Sequence, residues 1–394
     1  MKFSGLTIGV PREILDHEFR VSAIPDTVKN MVSQGARVLV ETGAGLEAYI
    51  HDEEYIEAGA EIAADVSQVY NQADIILKVK EPLPNEQKGT HEVNLMKSGQ
   101  VLVTFLHPAN PANHQMVRDL AGRGVTSFSL DCIPRISRAQ TMDALTSMST
   151  VAGYKGVISA ACRIPKFIPM IGTAVGAIQP ATVFILGTGV AGLQALATAK
   201  RLGAVIYAAD VRPDAAEQAM SLGAKIIDTG IPPESAVGEG GYALHLPDEL
   251  LEAERDAIRD IVSRSDIVVL SALIPRKIAP VLIDEAMVKS MKPGSAIVDI
   301  AIDQGGNCEL TVKGEVSRIH NVYIDGTQNI PGSVPQSSSW LFAKNIYNFI
   351  SLIVDNGKIV INMDDEIITS SLVTRDGELV NRDVIDEIKL FQEH

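Results

Sequence analysis

The stretch Thr182-Val-Phe-Ile-Leu-Gly187-Thr-Gly189-Val-Ala-Gly192-Leu-Gln-Ala-Leu-Ala decides the fold. An apolar, partly β-branched run leads into three glycines spaced G-x-G-x-x-G, and these lead into good helix formers. Strand, tight turn and helix in that order give the motif its mechanism. The first glycine permits the turn, the second lets a phosphate approach the backbone, and the third lets helix and strand pack closely. The helix N-terminus then presents unpaired N–H groups and its positive dipole end to an anion. Asp210 strengthens the reading. It ends the next apolar run, Val205–Ala209, 23 residues after Gly187, close to the spacing of about 20 at which an acid bonds the adenosine ribose of a dinucleotide. A carboxylate there repels a 2′-phosphate and favours NAD(H), whereas Arg212 is of the type that serves NADP(H).

Outward from this motif, short apolar runs alternate with amphipathic segments. Strands are expected at 7–10, 37–40, 75–79 and 101–106, with a helix over 25–34 stopped by Gly35. A second series begins near residue 150 with a helix to about Ala161. Strands follow at 182–186, 205–209, 225–227, 267–270 and 296–300, spaced by helices from 190, over 214–222 and over 248–263. Strands joined by helical crossovers imply parallel sheets covered on both faces. The predicted class is α/β, two Rossmann-like doubly wound parallel-sheet domains flanking a cleft. The first spans residues 1–140, completed by 331–394, and the second 141–330. Within the completing segment, 338–354 reads as an apolar helix and 358–380 as short strands turning at Asp364-Asp365 and Asp376-Gly377. About twenty residues between Ile227 and Asp248 exceed an ordinary connection of roughly 2–6, and Tyr242 within them is an aromatic able to fold over a ligand.

Composition excludes several classes. The 394 residues carry 34 Lys+Arg against 49 Asp+Glu, a net charge of −15, and phosphate-backbone affinity rests on clustered cations; no nucleic acid is expected. Residues 167–199 hold no charge over 33 positions, a length that invites a membrane span. Pro169, Gly172, Gly176, Pro180 and the glycine loop interrupt it, so direct membrane insertion is not expected and the stretch reads as the buried floor of the nucleotide site. Cys132, Cys162 and Cys308 form no CxxC pair, which indicates neither a disulfide framework nor a zinc site. Pro11, Arg12 and Glu13 break the first apolar run, against a secretory signal. A cytoplasmic location is expected.

Longer motifs carry a family resemblance. Pro134-Arg-Ile-Ser-Arg-Ala-Gln-Thr-Met-Asp-Ala-Leu-Thr146, Ala152-Gly-Tyr, Gly187 through Ala204, Gly240-Gly-Tyr-Ala243, Met291-Lys-Pro-Gly-Ser295, Gly305-Gly-Asn-Cys308, Leu341-Phe-Ala-Lys-Asn345 and Val373-Thr-Arg-Asp-Gly377 resemble the NAD(H)-binding component of the proton-translocating nicotinamide nucleotide transhydrogenases, over nearly the whole chain. The resemblance implies hydride transfer between NAD(H) here and NADP(H) on a partner subunit, coupled to proton translocation. It also implies a membrane-spanning partner subunit, peripheral attachment to the inner membrane through those partners, and a homodimer. By the same resemblance Arg135, Gln140 and Asp143 hold the nicotinamide, and Thr146, Val190, Val211, Gly241, Tyr242 and Leu273 join Gly187, Gly189, Gly192, Asp210 and Arg212 around the cofactor.

Alanine dehydrogenase shares this fold, and Glu18-Phe-Arg20, Lys78-Val-Lys80-Glu-Pro, Thr104-Phe-Leu-His107 and Asp299-Ile-Ala-Ile-Asp303 look like its versions of those segments. That resemblance gives Arg20 and Lys80 the substrate carboxylate, and His107 and Asp303 proton transfer in oxidative deamination of L-alanine to pyruvate. The chemistries differ in need. Hydride exchange between two nicotinamides needs positioning and exclusion of water but no general base. Gln140 suits it, since an amide both donates and accepts toward a carboxamide, and Arg135 with Asp143 is expected as a charge pair fixing the segment. Arg138 reads as solvated. Deamination instead needs a cation and a group titrating near neutrality, the place of His107 at a strand end.

Overall fold

The computed structural model describes residues 1–108, 110–238, 243–274 and 278–392. The chain divides into two compact units, 1–148 with 332–394, and 149–331. The division falls inside the helix Ala144–Arg163.

In the first unit the sheet runs, edge to edge, 378–379, 372–375, 126–129, 101–104, 75–77, 7–10, 37–41, 61–63. Its strands are parallel except Leu372–Arg375 and Glu378–Leu379, which run antiparallel to their neighbours. Numbered along the chain, the parallel strands lie in the order 3-2-1-4-5-6. Ile75, Ile76 and Leu77, and Val101 to Thr104, are buried throughout, as expected of strands covered on both faces. Helix Pro335–Ile353 buries Phe342, Ala343, Ile346, Phe349 and Ile350 on one side. Its Phe342 and Phe349 rings meet Phe105 and Phe128 at 5.3 Å between centroids.

The second unit repeats the plan: 225–226, 205–209, 182–186, 267–270, 296–299, 322–325, 316–319, parallel except for the edge strand Val316–Ile319. In both sheets the order reverses beside the first strand, and such switch points are where open α/β sheets bind ligands.

Two expectations are corrected. The turn at Asp364-Asp365 does not join strands: the Asp365 carboxylate accepts from the Ile367 amide at 2.9 Å and caps a helix, Glu366–Ser371. The uncharged stretch is not buried along its length either. Residues 171–173 and 176–178 pair as an exposed hairpin with Val175 at its tip 99 % accessible, while Ile168 before it and the residues from Ala181 after it join the core. Among the described residues no helix is long and apolar enough to cross a membrane.

Candidate dinucleotide site

At the switch point of the second unit the three glycines answer three separate demands. Gly187 has φ +85°, and a Cβ there would stand 2.7 Å from the Ala272 amide nitrogen. At Gly192 a Cβ would fall 1.9 Å from the Gly187 carbonyl oxygen, so only glycine lets the helix start that close to the loop. Gly189 differs: the nearest atom to a Cβ there is an Arg212 guanidinium nitrogen at 3.8 Å, and the space above its backbone is open. It is also the N-cap of helix Val190–Arg201, with no side chain bonded to the helix end, which leaves first-turn amides for an anion. A cradle closed at two glycines and open at the third fits a pyrophosphate.

Asp210, at the end of Val205–Ala209, has a side chain only 4 % exposed. Its Oδ2 accepts from the Thr188 amide at 2.7 Å and from the Thr188 hydroxyl at 3.2 Å. Arg212 closes on it through its own amide and Nε to Oδ1, both at 2.9 Å, and Nη2 to Oδ2 at 2.7 Å. These hydrogen bonds to Asp210 hold the guanidinium pKa above its ordinary value. An arginine gripped this way is not free to meet a 2′-phosphate, so the pair supports NAD(H) over NADP(H). Val190 begins the helix and Val211, half-buried, packs on the core below the loop.

The opposite wall is the segment after Ile267–Leu270. Ser271 donates to the Gly187 carbonyl at 2.8 Å, and Leu273 is exposed beyond it. Asn307 fixes this wall: its side chain accepts from the Ala272 amide at 3.0 Å and donates to the Ala272 and Pro280 carbonyls at 2.8 Å each. Asn307 is itself anchored through its amide to buried Asp299, which also accepts from the Cys308 amide and Thr311 hydroxyl. Sequence reading missed this brace, although Asn307 and Asp299 both lie in the family motifs, because the partners are backbone atoms far along the chain.

The segment holding Arg135 to Thr146 belongs to the first unit. It forms a 3₁₀ turn, Ser137–Met142, with Arg135 and Gln140 exposed. Asp143 is a helix cap: its carboxylate takes the Thr146 amide at 2.8 Å and the Thr146 hydroxyl at 2.6 Å. The expected Arg135–Asp143 pair gives way to that cap. Arg138, read as solvated, makes a two-pronged bond to Asp365 at 2.7 and 2.8 Å and ties the turn down. Asn345 and Asn348 add bonds to the Thr141 carbonyl. Gly241 and Tyr242 lie outside the described residues; beside them the loop forms helix Pro233–Ala236 and an antiparallel bridge, Val237 to Ala243.

The dehydrogenase set fares differently. Arg20 is buried and doubly bonded to Glu18, Nε to Oε1 at 2.6 Å and Nη2 to Oε2 at 2.5 Å. His107, at φ +44°, stands between two carboxylates, Nδ1 at 2.9 Å from Glu81 and Nε2 at 3.6 Å from Asp131. Burial opposes its charge, but Asp131 and Glu81 outweigh it and raise the pKa above the usual histidine value. Lys80 is half-buried, its amide 3.4 Å from Glu13. The fully buried lysine is Lys78, between Glu92 at 3.1 Å and Glu13 at 3.3 Å; burial pushes Glu13 up to about 7 against the pull of Lys78. Asp303 belongs to the second unit and accepts from Gln328 and the Asn329 amide.

Comparison with known proteins agrees with this geometry. Residues 9–152 match the alanine dehydrogenase/PNT N-terminal domain and residues 156–382 the C-terminal domain. An NAD(P) transhydrogenase alpha subunit of Rhodospirillum rubrum is 43 % identical over 381 residues, 95 % of this chain and 98 % of the relative. Alanine dehydrogenase of Bacillus subtilis is 34 % identical over 393 residues, covering 96 % and 95 %. Among solved structures, a transhydrogenase from Sinorhizobium meliloti superposes with TM-score 0.83 at 39 % identity, covering 95 % of this chain and all of that one. An L-alanine dehydrogenase gives 0.80 at 27 %, covering 98 % and 99 %. The resemblance read from the motifs is borne out, with the transhydrogenase relatives nearer than the dehydrogenases, and the chain belongs to the alanine dehydrogenase/PNT family of oxidoreductases.

Proposed function

We propose that this chain is the NAD(H)-binding component of a proton-translocating transhydrogenase, exchanging hydride with NADP(H) bound on a partner subunit. The observation that carries the reading is the near end-to-end match, over 95 % of this chain and 98 % of the relative, to a transhydrogenase alpha subunit. The Asp210–Arg212 grip and the open cradle over Gly189 support NAD(H) as the nucleotide. The cofactor supplies the hydride. The chain holds the pyrophosphate on the first amides of helix Val190–Arg201, and Gln140 is the amide suited to the carboxamide. No side chain has to move a proton at the reacting carbons. This accords with Arg20 and His107 being satisfied by Glu18, Glu81 and Asp131.

Membrane-spanning and NADP(H)-binding partners complete the enzyme, hold this chain at the cytoplasmic face of the inner membrane and carry the proton path; the chain itself works as a homodimer. Reconstitution tests the reading. The purified chain is expected to bind NADH, to leave L-alanine unoxidised, and to support hydride exchange once the NADP(H)-binding component is added. NAD-dependent oxidation of L-alanine at useful rates overturns it in favour of the dehydrogenase.

A further inference from the structure

Helix Pro335–Ile353 buries Phe342, Ile346, Phe349 and Ile353 along one face. Asn345 stands in that stripe, three residues after Phe342 and four before Phe349, where the helical period asks for a hydrophobe. It is 6 % exposed. Its Nδ2 donates to the Thr141 carbonyl at 2.9 Å, while its Oδ1 is buried with no hydrogen-bond partner among the described residues. One neutral hydrogen bond contributes less, net, than a stranded buried polar atom costs, so stability alone would place an aliphatic side chain here. Asn348, three residues on, donates to the same carbonyl at 3.1 Å. Two donors engage both lone pairs of that oxygen and fix the peptide plane that joins Thr141 to Met142.

The residue just before the held carbonyl is Gln140. It is exposed, on the 3₁₀ turn Ser137–Met142, and the residues around it are tied. Arg138 is gripped by Asp365, Ala139 is fully buried in the core, and Asp143 is engaged as a cap on Thr146. The asparagines supply the tie on the far side of Gln140, from a helix about two hundred residues along the chain.

We propose that Asn345 and Asn348 are positioning residues for hydride exchange: by holding the Thr141 carbonyl they set the backbone beside Gln140, so that its amide meets the nicotinamide carboxamide in one geometry. The assignment rests on the transhydrogenase reading above and names a device that serves it. Where the chemistry needs alignment and no general base, a ring misplaced by about 1 Å costs about a hundredfold in rate. That need explains an amide on a core stripe that gains the fold nothing.

Hydride exchange by the full chain reconstituted with the NADP(H)-binding component tests it. Asn345→Leu completes the apolar stripe and removes the donor and the stranded acceptor together; Asn348→Ala removes the second donor from a half-buried position. Each is expected to lower kcat about tenfold while the NADH dissociation constant stays within about twofold of wild type, because an interaction felt only on the way to the transition state moves kcat alone. Melting temperatures should match wild type. On a Gln140→Ala background Asn348→Ala is expected to lower kcat by less than about twofold more, since the residue through which it acts is gone. Rates within about twofold of wild type for both asparagine variants, losses that track melting temperature or NADH affinity, or a loss that multiplies in full on the Gln140→Ala background overturn the proposal. Asn348→Ala decides alone if Asn345→Leu does not fold. If Gln140→Ala loses rate while the asparagine variants keep it, only the role of the asparagines falls. If Gln140→Ala exchanges hydride like wild type, the nicotinamide reading of Gln140 falls and the proposal with it.

Discussion

The side chain of Asn307 holds both backbone groups of Ala272, accepting from its amide and donating to its carbonyl. A single amide thereby fixes the strand end that faces Gly187. Asn307→Ala leaves these half-buried groups and the Pro280 carbonyl without partners, at about 1 kcal/mol each, the low end of the cost of stranding a polar group. We expect the 149–331 unit to lose about 3 kcal/mol in urea denaturation, with NADH binding weakened. A variant as stable as wild type would show that water replaces the brace.

The glycines of the loop separate binding from folding. Gly192→Ala drives a methyl into the Gly187 carbonyl and is expected to lower both the melting temperature and NADH affinity. Gly189→Ala meets open space, so stability should hold within about 0.5 kcal/mol while NADH affinity falls by about tenfold or more. Equal effects at the two positions in calorimetry and titration would contradict the cradle.

Asp210→Ala removes the acceptor of Thr188 and releases Arg212. NADH binding should weaken, and the preference over NADPH should shrink because a freed guanidinium can meet the 2′-phosphate. Fluorescence titration with both nucleotides reads the ratio. An unchanged preference removes Asp210 from the site.

Glu81 gives the 1–148 and 332–394 unit an acid-sensitive tie. Burial works against its charge, but the His107 hydrogen bond and charge win and hold the carboxyl at about 2. A depressed folded-state pKa contributes stability that is present above the unfolded value near 4.5 and is lost as pH falls toward about 2. The contribution is of order 2 kcal/mol. Denaturant titrations between pH 5 and about 2.5 should show His107→Gln losing less stability over that window than wild type. Parallel curves would mean that Glu81 is not tied to His107.

Much of the fold was legible because its signals are local. The runs Thr182–Leu186, Val205–Ala209 and Ile267–Leu270 are strands at the expected bounds, since a buried parallel strand announces itself as an unbroken apolar run. What stayed hidden depends on partners far along the chain. Arg138 looked solvated because Asp365 lies 227 residues away. The hairpin around Val175 looked buried because apolar composition says nothing about which face is covered. One miss had a local signal: Asp143 with Thr146 three residues on, ahead of Ala144–Arg163, is an N-cap pattern.

The strand Leu372–Arg375 pairs with Thr126–Ser129 across the whole intervening 149–331 unit, and this orders events on the ribosome. The 149–331 unit is contiguous and can close as soon as its last strand emerges. The sheet begun by Thr7–Val10 cannot: Thr126–Ser129 waits as an open edge for nearly 250 residues of synthesis, through the whole formation of the other unit. Unpaired edges of that kind invite foreign strands. The nascent chain, more than the finished one, is where this protein is exposed to aggregation and where a chaperone has work to do.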